Sequence, residues 1–229
     1  MIHIIQNDPE VPVGIVGEEL RRCGVEQTVV RVYDGEQLPE LSVTSGVIVL
    51  GGAMGANDDV RHPFLADLKR FIGALVEQEK PLMGICLGGQ LLSAATGGEV
   101  TSNFNGEKGT YSIMLTDEGG EDRLFRGVGL AFISFQWHND SFSIPPRGVR
   151  LAFTETCHNQ AFRVGSRAWG VQFHPEVNRD IVREWSSWTP ETAARTDEYV
   201  ATFQEWEDDY RSVSRQLVAN FVEIAGFVS

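Results

Sequence analysis

The stretch LMGICLGGQLL, residues 82–92, sets a cysteine between an apolar run and a run with helical character. The first part predicts a buried strand and the second part a helix. A strand that leads directly into a helix needs a tight turn at the residue between them, here Cys86, whose side chain then projects outward. Gly84, Gly88 and Gly89 are the small residues that such a crowded turn requires. The pattern favours an exposed cysteine nucleophile over its alternative, a small core cysteine.

The residues before this turn alternate between short apolar strands and helices. The apolar runs 2–6, 27–33 and 46–52 predict strands, and the periodic runs 13–23 and 63–78 predict helices. Such alternation indicates βαβ units, so the predicted fold class is α/β, with a mostly parallel central sheet and flanking helices. Ligands of such sheets bind beyond the carboxyl ends of the strands, which is where the cysteine turn would lie.

The rest of the chain changes character twice. Residues 99–173 carry short strand-like runs separated by turns, and residues 180–210 contain nine acidic against two basic side chains. Seven apolar residues of the tail recur at helical spacing: Val200, Phe203, Trp206, Tyr210, Val213, Leu217 and Phe221. This stripe predicts an amphipathic helix packed on the domain; the alternative is a lid or a partner-binding element. We expect a main domain over residues 1–178 and a helical extension over 179–229 that packs on it.

The composition argues against several classes of partner. A net charge of −13 disfavours nucleic acid and anionic membrane surfaces, since both require a basic surface. No apolar run approaches the length of a transmembrane helix, and the amino terminus lacks the character of a secretory signal. Cys23, Cys86 and Cys157 are too few and too widely spaced for a disulfide framework or a zinc signature. We therefore expect no metal, no cofactor, and free thiols in a reducing cytoplasm.

A cysteine nucleophile needs an activated thiolate and a base. The helix that follows Cys86 points its first N–H groups at the sulfur and favours the thiolate. A base is available in GVQFHPEV, where Pro175 biases His174 towards an extended backbone. In an extended chain His174 and Glu176 share a face, so the carboxylate can orient the imidazole as in a catalytic triad. The alternative is a surface histidine beside a solvated glutamate.

Acyl chemistry also needs donors for the negatively charged oxygen of a tetrahedral intermediate. The N–H of Leu87, directly after the nucleophile, is one candidate. A second could come from the loop LGGAMGAND, residues 50–58, which follows the neighbouring strand. This loop lacks the lysine of a Walker motif and the spacing of a dinucleotide-binding loop, so phosphate binding is the weaker interpretation. Cys23 and Cys157 lack comparable surroundings and are predicted to be structural.

Together these motifs resemble those of the class I glutamine amidotransferases over about residues 1–178. The resemblance rests on GICLGGQ (84–90), on FHPE (173–176), and on the order of the two segments. It implies the flavodoxin-like fold of that family, with a tail that is similar to a feature of stand-alone members. The glycine loop reads Gly-Gly-Ala where many members have proline after the glycines, and this leaves the N–H of Gly52 in place.

The resemblance implies a mechanism for these residues. Cys86 would attack the side-chain amide of glutamine. The N–H groups of Gly52 and Leu87 would hold the oxyanion. His174, oriented by Glu176, would pass its proton to the leaving ammonia, and water would then hydrolyse the γ-glutamyl thioester.

The resemblance also implies residues that recognise glutamine. Four residues match the recognition positions of the family: Gln90, Trp137, Asn139 and Asp140. Trp137, Asn139 and Asp140 are expected to act mostly through backbone contacts. His138 lies in the same segment, and a structural, hydrogen-bonded role suits it at least as well.

Three functions are compatible with this resemblance, which is closest to free-standing, guanylate-synthase-like members. The first is a glutaminase, either independent or serving an ammonia-accepting synthase partner. The second is a γ-glutamyl hydrolase or peptidase that uses the same triad on γ-glutamyl compounds. The third is a non-catalytic binding module, which the intact Cys–His–Glu set argues against. The full glycine loop and the tail favour hydrolysis by the isolated protein.

Overall fold

The computed structural model describes residues 1–227, which form eleven strands and eight α-helices. The strands are β1 (Ile2–Gln6), β2 (Gln27–Arg31), β3 (Gly46–Val49), β4 (Leu82–Ile85), β5 (Val100–Thr101), β6 (Glu107–Leu115), β7 (Ala131–His138), β8 (Ser141–Phe142), β9 (Gly148–Phe153), β10 (Ala161–Val164) and β11 (Ala168–Val171). The helices are α1 (Gly14–Arg22), α2 (Phe64–Glu77), α3 (Leu87–Ala95), α4 (Asp117–Gly120), α5 (Arg179–Ser186), α6 (Pro190–Ala193), α7 (Thr196–Glu205) and α8 (Glu207–Ile224).

Nine of these strands form one sheet in the order β2-β1-β3-β4-β11-β10-β9-β6-β7. The first five strands pair in parallel, and the pairs from β11 to β7 are antiparallel. The predicted α/β class is confirmed, with helices on both faces of a mixed sheet. The antiparallel half corresponds to the strand-rich middle of the sequence, where short turns connect neighbouring strands.

The direction of the strands decides where the functional residues meet. Strands β1, β2, β3, β4 and β11 run the same way, and two successive antiparallel steps restore that direction at β9 and again at β7. These strands therefore have their carboxyl ends at one end of the sheet. The segments that follow β3, β4, β7 and β11 lie at that end, although they are far apart in sequence.

The two faces of the sheet have separate hydrophobic cores. One core includes buried residues of α1, α5, α7 and α8, and the other includes those of α2 and α3. Each of these helices has an apolar side, which it buries against the sheet and so stabilises the fold. Within residues 1–227, no helix is both long and apolar enough to cross a bilayer.

The tail is helical, but its apolar stripe is interrupted. Helix α7 ends at Glu205 and α8 begins at Glu207, so Trp206 lies at the break and is 40% exposed. The prediction that Trp206 belongs to the buried stripe is wrong, because the helical period does not continue through a change of chain direction. Phe203 and Tyr210, on either side of the break, are fully buried. Residues 228–229 of the expected extension lie outside the described residues.

Candidate active site

Cys86 lies at the corner between β4 and α3, with φ 50° and ψ −106°. A positive φ is strained for a residue other than glycine and persists only where the surroundings impose it. A Cβ atom on Gly88 would lie 2.2 Å from the carbonyl oxygen of Val49, and one on Gly84 would lie 2.4 Å from the carbonyl of Gly88. The elbow therefore needs these glycines, because strand and helix backbones are in contact on both sides of Cys86.

His174 and Glu176 form a buried pair. Nδ1 of His174 lies 2.6 Å from Oε1 of Glu176, and the two side chains are 3% and 0% exposed. The backbone of His174 is also held, since its N–H donates to the carbonyl of Phe135 and its carbonyl accepts from the Tyr210 hydroxyl, each at 2.8 Å. The Trp185 ring packs against the imidazole in an edge-to-face arrangement, with ring centroids 4.7 Å apart. The carboxylate fixes the ring so that Nε2 is left free for chemistry.

His174 and Cys86 approach each other across Gly51. A Cβ atom on Gly51 would lie 3.2 Å from Cε1 of His174 and 3.7 Å from Cβ of Cys86. Nε2 of His174 has no hydrogen-bond partner among the described residues. The sulfur accepts from Nε2 of Gln172 at 3.5 Å. Catalytic hydrogen bonds are often long before substrate binds, so the arrangement suits a site that tightens around its substrate.

The charges around His174 keep its imidazole protonated. Burial acts to lower the pKa of His174, but the negative charges of Glu176 and Cys86 outweigh it and raise that pKa to about 10. An imidazolium beside a cysteine sulfur is the charge state in which the sulfur can attack and the ring can then donate a proton.

The two predicted oxyanion donors are neighbours. A Cβ atom on Gly52 would lie 2.8 Å from Cδ2 of Leu87. Within residues 1–227, the backbone N–H of neither residue donates to a protein acceptor. The glycine loop is held in place by Asp8, whose carboxylate accepts from the N–H of Ala53 at 3.0 Å. Both N–H groups are therefore available to an incoming oxyanion.

Cys86 is only 6% exposed, so it is less open than its position at the turn predicts, and it lines a pocket of about 200 Å³. All four predicted recognition residues line it: Gln90, Trp137, Asn139 and Asp140. The Asp140 carbonyl accepts from Nε2 of Gln90 at 3.3 Å, and the Asp140 carboxylate accepts from the N–H of Asn103 at 3.0 Å. Gln90 and Asp140 thus hold each other and the adjacent loop, which sets the shape of the pocket.

Sequence reasoning missed several residues of this site. Gln172 precedes His174 by two positions, so the rule that paired His174 with Glu176 would also have placed Gln172 on the same face. Trp188, Thr189 and Thr192 reach the pocket from the extension, and Lys108 reaches it from β6. No local pattern marks these four, because only the packing of the tail and of the antiparallel strands brings them there.

The other two cysteines lie outside the pocket lining. Cys157 is 1% exposed, and burial raises the pKa of its thiol to about 11. Burial also raises the pKa of the half-buried Cys23 thiol. Both thiols are therefore protonated at neutral pH, which makes them poor nucleophiles.

The sequence matches the family described as glutamine amidotransferase class-I over residues 15–181. The chain belongs to this family. The prediction of an amidotransferase-family enzyme is thereby confirmed.

Relatives of this class I amidotransferase include a glutamine-hydrolysing GMP synthase from Porphyromonas gingivalis. That protein is 35% identical over 160 residues, which are 69% of this chain and 30% of the synthase. A second relative, one component of a glutamine-hydrolysing GMP synthase from Picrophilus torridus, is 30% identical over 162 residues, which are 69% of this chain and 80% of that component. This chain thus spans less than a third of the longer relative.

Among solved structures, a glutamine amidotransferase from Thermotoga maritima is similar over 97% of both chains, with a TM-score of 0.88 and 28% identity. Coverage of this extent includes the helices after β11. The extension is therefore part of a fold that this class I amidotransferase shares with the Thermotoga protein.

Proposed function

We propose that this protein hydrolyses the side-chain amide of glutamine through a Cys86–His174–Glu176 triad and a γ-glutamyl thioester. The observation that carries the proposal is the strained elbow at Cys86 beside the buried, charge-stabilised His174–Glu176 pair. Membership of the amidotransferase family supports the same chemistry.

In the acylation step, Sγ of Cys86 attacks the amide carbon and forms a carbon–sulfur bond. The negative charge that develops on the amide oxygen is stabilised by the N–H groups of Gly52 and Leu87. His174 donates its Nε2 proton to the amide nitrogen, so the carbon–nitrogen bond breaks and ammonia leaves. Gln172, which donates to the sulfur at 3.5 Å, holds the nucleophile in line.

In the deacylation step, water attacks the thioester. His174 is now neutral at Nε2 and accepts a proton from that water as general base. The carbon–sulfur bond breaks, glutamate leaves, and the thiolate and imidazolium are restored. Glu176 accepts from Nδ1 of His174 and stabilises each imidazolium state.

The size and charge of the pocket suit a single amino acid. Its volume of about 200 Å³ lies below the ~300–1,000 Å³ of pockets that bind drug-sized ligands. Of the described residues that line it, Lys108 is the one lysine or arginine, and we infer that it binds the α-carboxylate. Oxygen atoms of Asn139 and Asp140 are the acceptors proposed for the α-ammonium group.

We infer that a synthase partner is not required for hydrolysis. Trp188, Thr189 and Thr192 of the extension complete the pocket wall within one chain, so no second protein is needed to enclose the substrate. The names of the two relatives described above refer to GMP synthases, so an activity that depended on a partner would transfer ammonia to a synthase.

The test is steady-state release of glutamate and ammonia from glutamine by the purified protein, with Cys86→Ala as the blank and Cys23→Ala as the matched control. We expect release by the wild type and by Cys23→Ala, together with an acid-stable γ-glutamyl adduct on Cys86 detected by mass spectrometry. Turnover of γ-glutamyl dipeptides without turnover of glutamine would replace the glutaminase with a γ-glutamyl hydrolase. Release no greater than the blank on both substrates would contradict hydrolysis by the isolated chain.

A further inference from the structure

A second cluster of reactive side chains lies beside the pocket, and the proposed hydrolysis does not use it. It consists of Glu107 at the start of β6, His138 at the end of β7, and Cys157 after β9. Their potential ligand atoms lie within 4.8 Å of one another. The residues are 3%, 5% and 1% exposed. Three polar groups of different chemistry therefore converge in the interior.

Glu107 is a buried carboxylate without a matching cation. Its two oxygens accept hydrogen bonds from the Thr154 hydroxyl at 2.7 Å and from Nε2 of Gln160 at 2.6 Å, and both donors are neutral. Within residues 1–227, no lysine or arginine pairs with it. The ammonium group of the adjacent Lys108 lies over the Trp137 ring instead. A buried negative charge is costly unless a positive charge accompanies it, so a cation placed beside Glu107 would be stabilised.

His138 presents an unused nitrogen to this carboxylate. Its Nδ1 lies 2.9 Å from the carbonyl oxygen of Asp140, which can only accept, so Nδ1 carries the hydrogen. Nε2 is buried without a hydrogen-bond partner and lies 3.6 Å from Oε2 of Glu107. That distance is too long for a hydrogen bond between the two groups. A lone pair therefore points into the cluster with nothing bound to it.

We propose that Glu107, His138 and Cys157 bind one divalent transition-metal ion of the zinc class. A carboxylate, an imidazole and a thiolate are the donor set that Zn²⁺ prefers over Mg²⁺ or Ca²⁺. The carboxylate and the thiolate together balance the charge of the ion. Coordination releases the thiol proton of Cys157 to solvent, and a water molecule can occupy the fourth position of a tetrahedral ion.

The surroundings of the cluster match those of known metal ligands. A metal-bound histidine usually donates its other N–H to a carbonyl or carboxylate, as His138 does to Asp140. A metal-bound carboxylate is usually hydrogen-bonded in turn, as Glu107 is by Thr154 and Gln160. The 3.6 Å between Nε2 and Oε2 is close to the ~3.4 Å that follows for two ligands with bonds of about 2.0–2.1 Å in a tetrahedral site.

The ion would hold in place one group of residues that line the pocket. His138 is joined through Nδ1 to the Asp140 carbonyl, which also accepts from Gln90. Fixing His138 therefore fixes residues 137–140, which line the pocket beside the glycine loop. The rival account places a proton on Nε2 of His138, so that an imidazolium neutralises Glu107 without any metal.

A cobalt titration separates the two accounts. The experiment uses the metal-free full-length chain with Cys86→Ala, so that the reactive thiol cannot contribute, and it adds Co²⁺. We expect one equivalent to bind, with a sulfur-to-cobalt charge-transfer band in the near ultraviolet and with d–d bands of tetrahedral intensity. A further Cys157→Ser change should abolish the charge-transfer band, whereas a matched Cys23→Ser change should leave it intact. Absence of the band, or its persistence after Cys157→Ser, would overturn the proposal.

A second measurement keeps the proposal testable if Cys157→Ser does not fold. In the same Cys86→Ala chain loaded with ¹¹³Cd²⁺, the cadmium NMR shift should report one thiolate with nitrogen and oxygen ligands. A shift typical of oxygen ligands alone would count against the site. Thr154→Val should weaken metal affinity about 10–100-fold, because such changes behind a ligand typically have that effect.

Discussion

The two regions that meet at the pocket build their parts of it in different ways. The elbow region, residues 46–95, places Cys86, Gly52 and Leu87 by backbone geometry, through a strained φ and through contacts that only glycine permits. The extension, residues 179–224, acts through side chains that pack on His174 or enter the pocket. The first region places the proposed reacting groups through local backbone geometry. The second region contacts and encloses them with side chains that are distant in sequence.

Because of this difference, substitutions in the two regions should impair the protein in different ways. A methyl group added at the elbow meets backbone atoms that cannot move without separating a strand from a helix. A group removed from the extension leaves a cavity or an unpaired polar atom, which costs less and leaves the nucleophile in place. Four changes test this contrast.

The largest effect is expected from Gly88→Ala. The new Cβ would lie 2.2 Å from the carbonyl oxygen of Val49, so the unfolding free energy should fall by about 3 kcal/mol or more, and activity should be lost. Urea denaturation measures the change. The matched control is Gly73→Ala in α2, where a Cβ meets nothing within 4 Å and should stabilise the protein by about 0.5–1 kcal/mol. A stable, active Gly88→Ala variant would show that backbone contact does not constrain the elbow.

Tyr210→Phe should have the next largest effect. It removes the hydroxyl that donates to the buried His174 carbonyl at 2.8 Å, which should cost about 1–3 kcal/mol of unfolding free energy. Turnover should also fall, because the backbone of His174, the proposed general acid and base, loses a hydrogen bond. Tyr33→Phe is the control, since the Tyr33 hydroxyl forms no side-chain hydrogen bond in the part of the chain that the structure describes. Equal unfolding free energies for the two variants would show that the Tyr210 hydroxyl of the extension does not stabilise the backbone at His174.

Trp188→Ala should affect substrate binding more than stability. Loss of this wall should raise KM about 5- to 30-fold, corresponding to about 1–2 kcal/mol of contact, with a smaller change in kcat. Trp206→Ala, at the exposed helix break, should leave both constants near wild type. If the two variants behave alike, then the extension stabilises the fold without forming part of the pocket.

The smallest change expected is the fall in the pKa of His174 when a neighbouring negative charge is removed. Its pKa of about 10 should fall in Cys86→Ala, which removes one negative charge, and fall further in Glu176→Gln, which removes the stronger one. Because the folded pKa lies above the ordinary value of 6.5, the resulting stabilisation is fully present below pH 6.5 and is lost as pH rises through about 10. Imidazole NMR shifts measure the pKa of His174, and unfolding at several pH values measures the stabilisation. A His174 pKa that does not respond to Cys86→Ala would mean that the two groups are not coupled.

The motifs on which the sequence interpretation rested are short, and their consequences are local. The alternation of strands and helices, the elbow and the Phe-His-Pro-Glu segment each follow from neighbours within a few residues. Trp206 shows where such reasoning fails, since a periodic pattern cannot reveal that the chain turns between two helices. The predicted roles of Gly52, Leu87 and the recognition residues remain predictions for the experiments above.

What the sequence by itself determined is the α/β class, the cysteine corner and the histidine–glutamate pair, because residue spacing and backbone sterics specify them locally. What only the tertiary structure decided is which distant groups surround them: the Gln172 amide on the sulfur, the extension in the pocket wall, and the Glu107–His138–Cys157 cluster. These contacts join residues tens to more than a hundred positions apart. Their energy comes from burial and charge at the carboxyl end of the sheet, which no window of sequence contains.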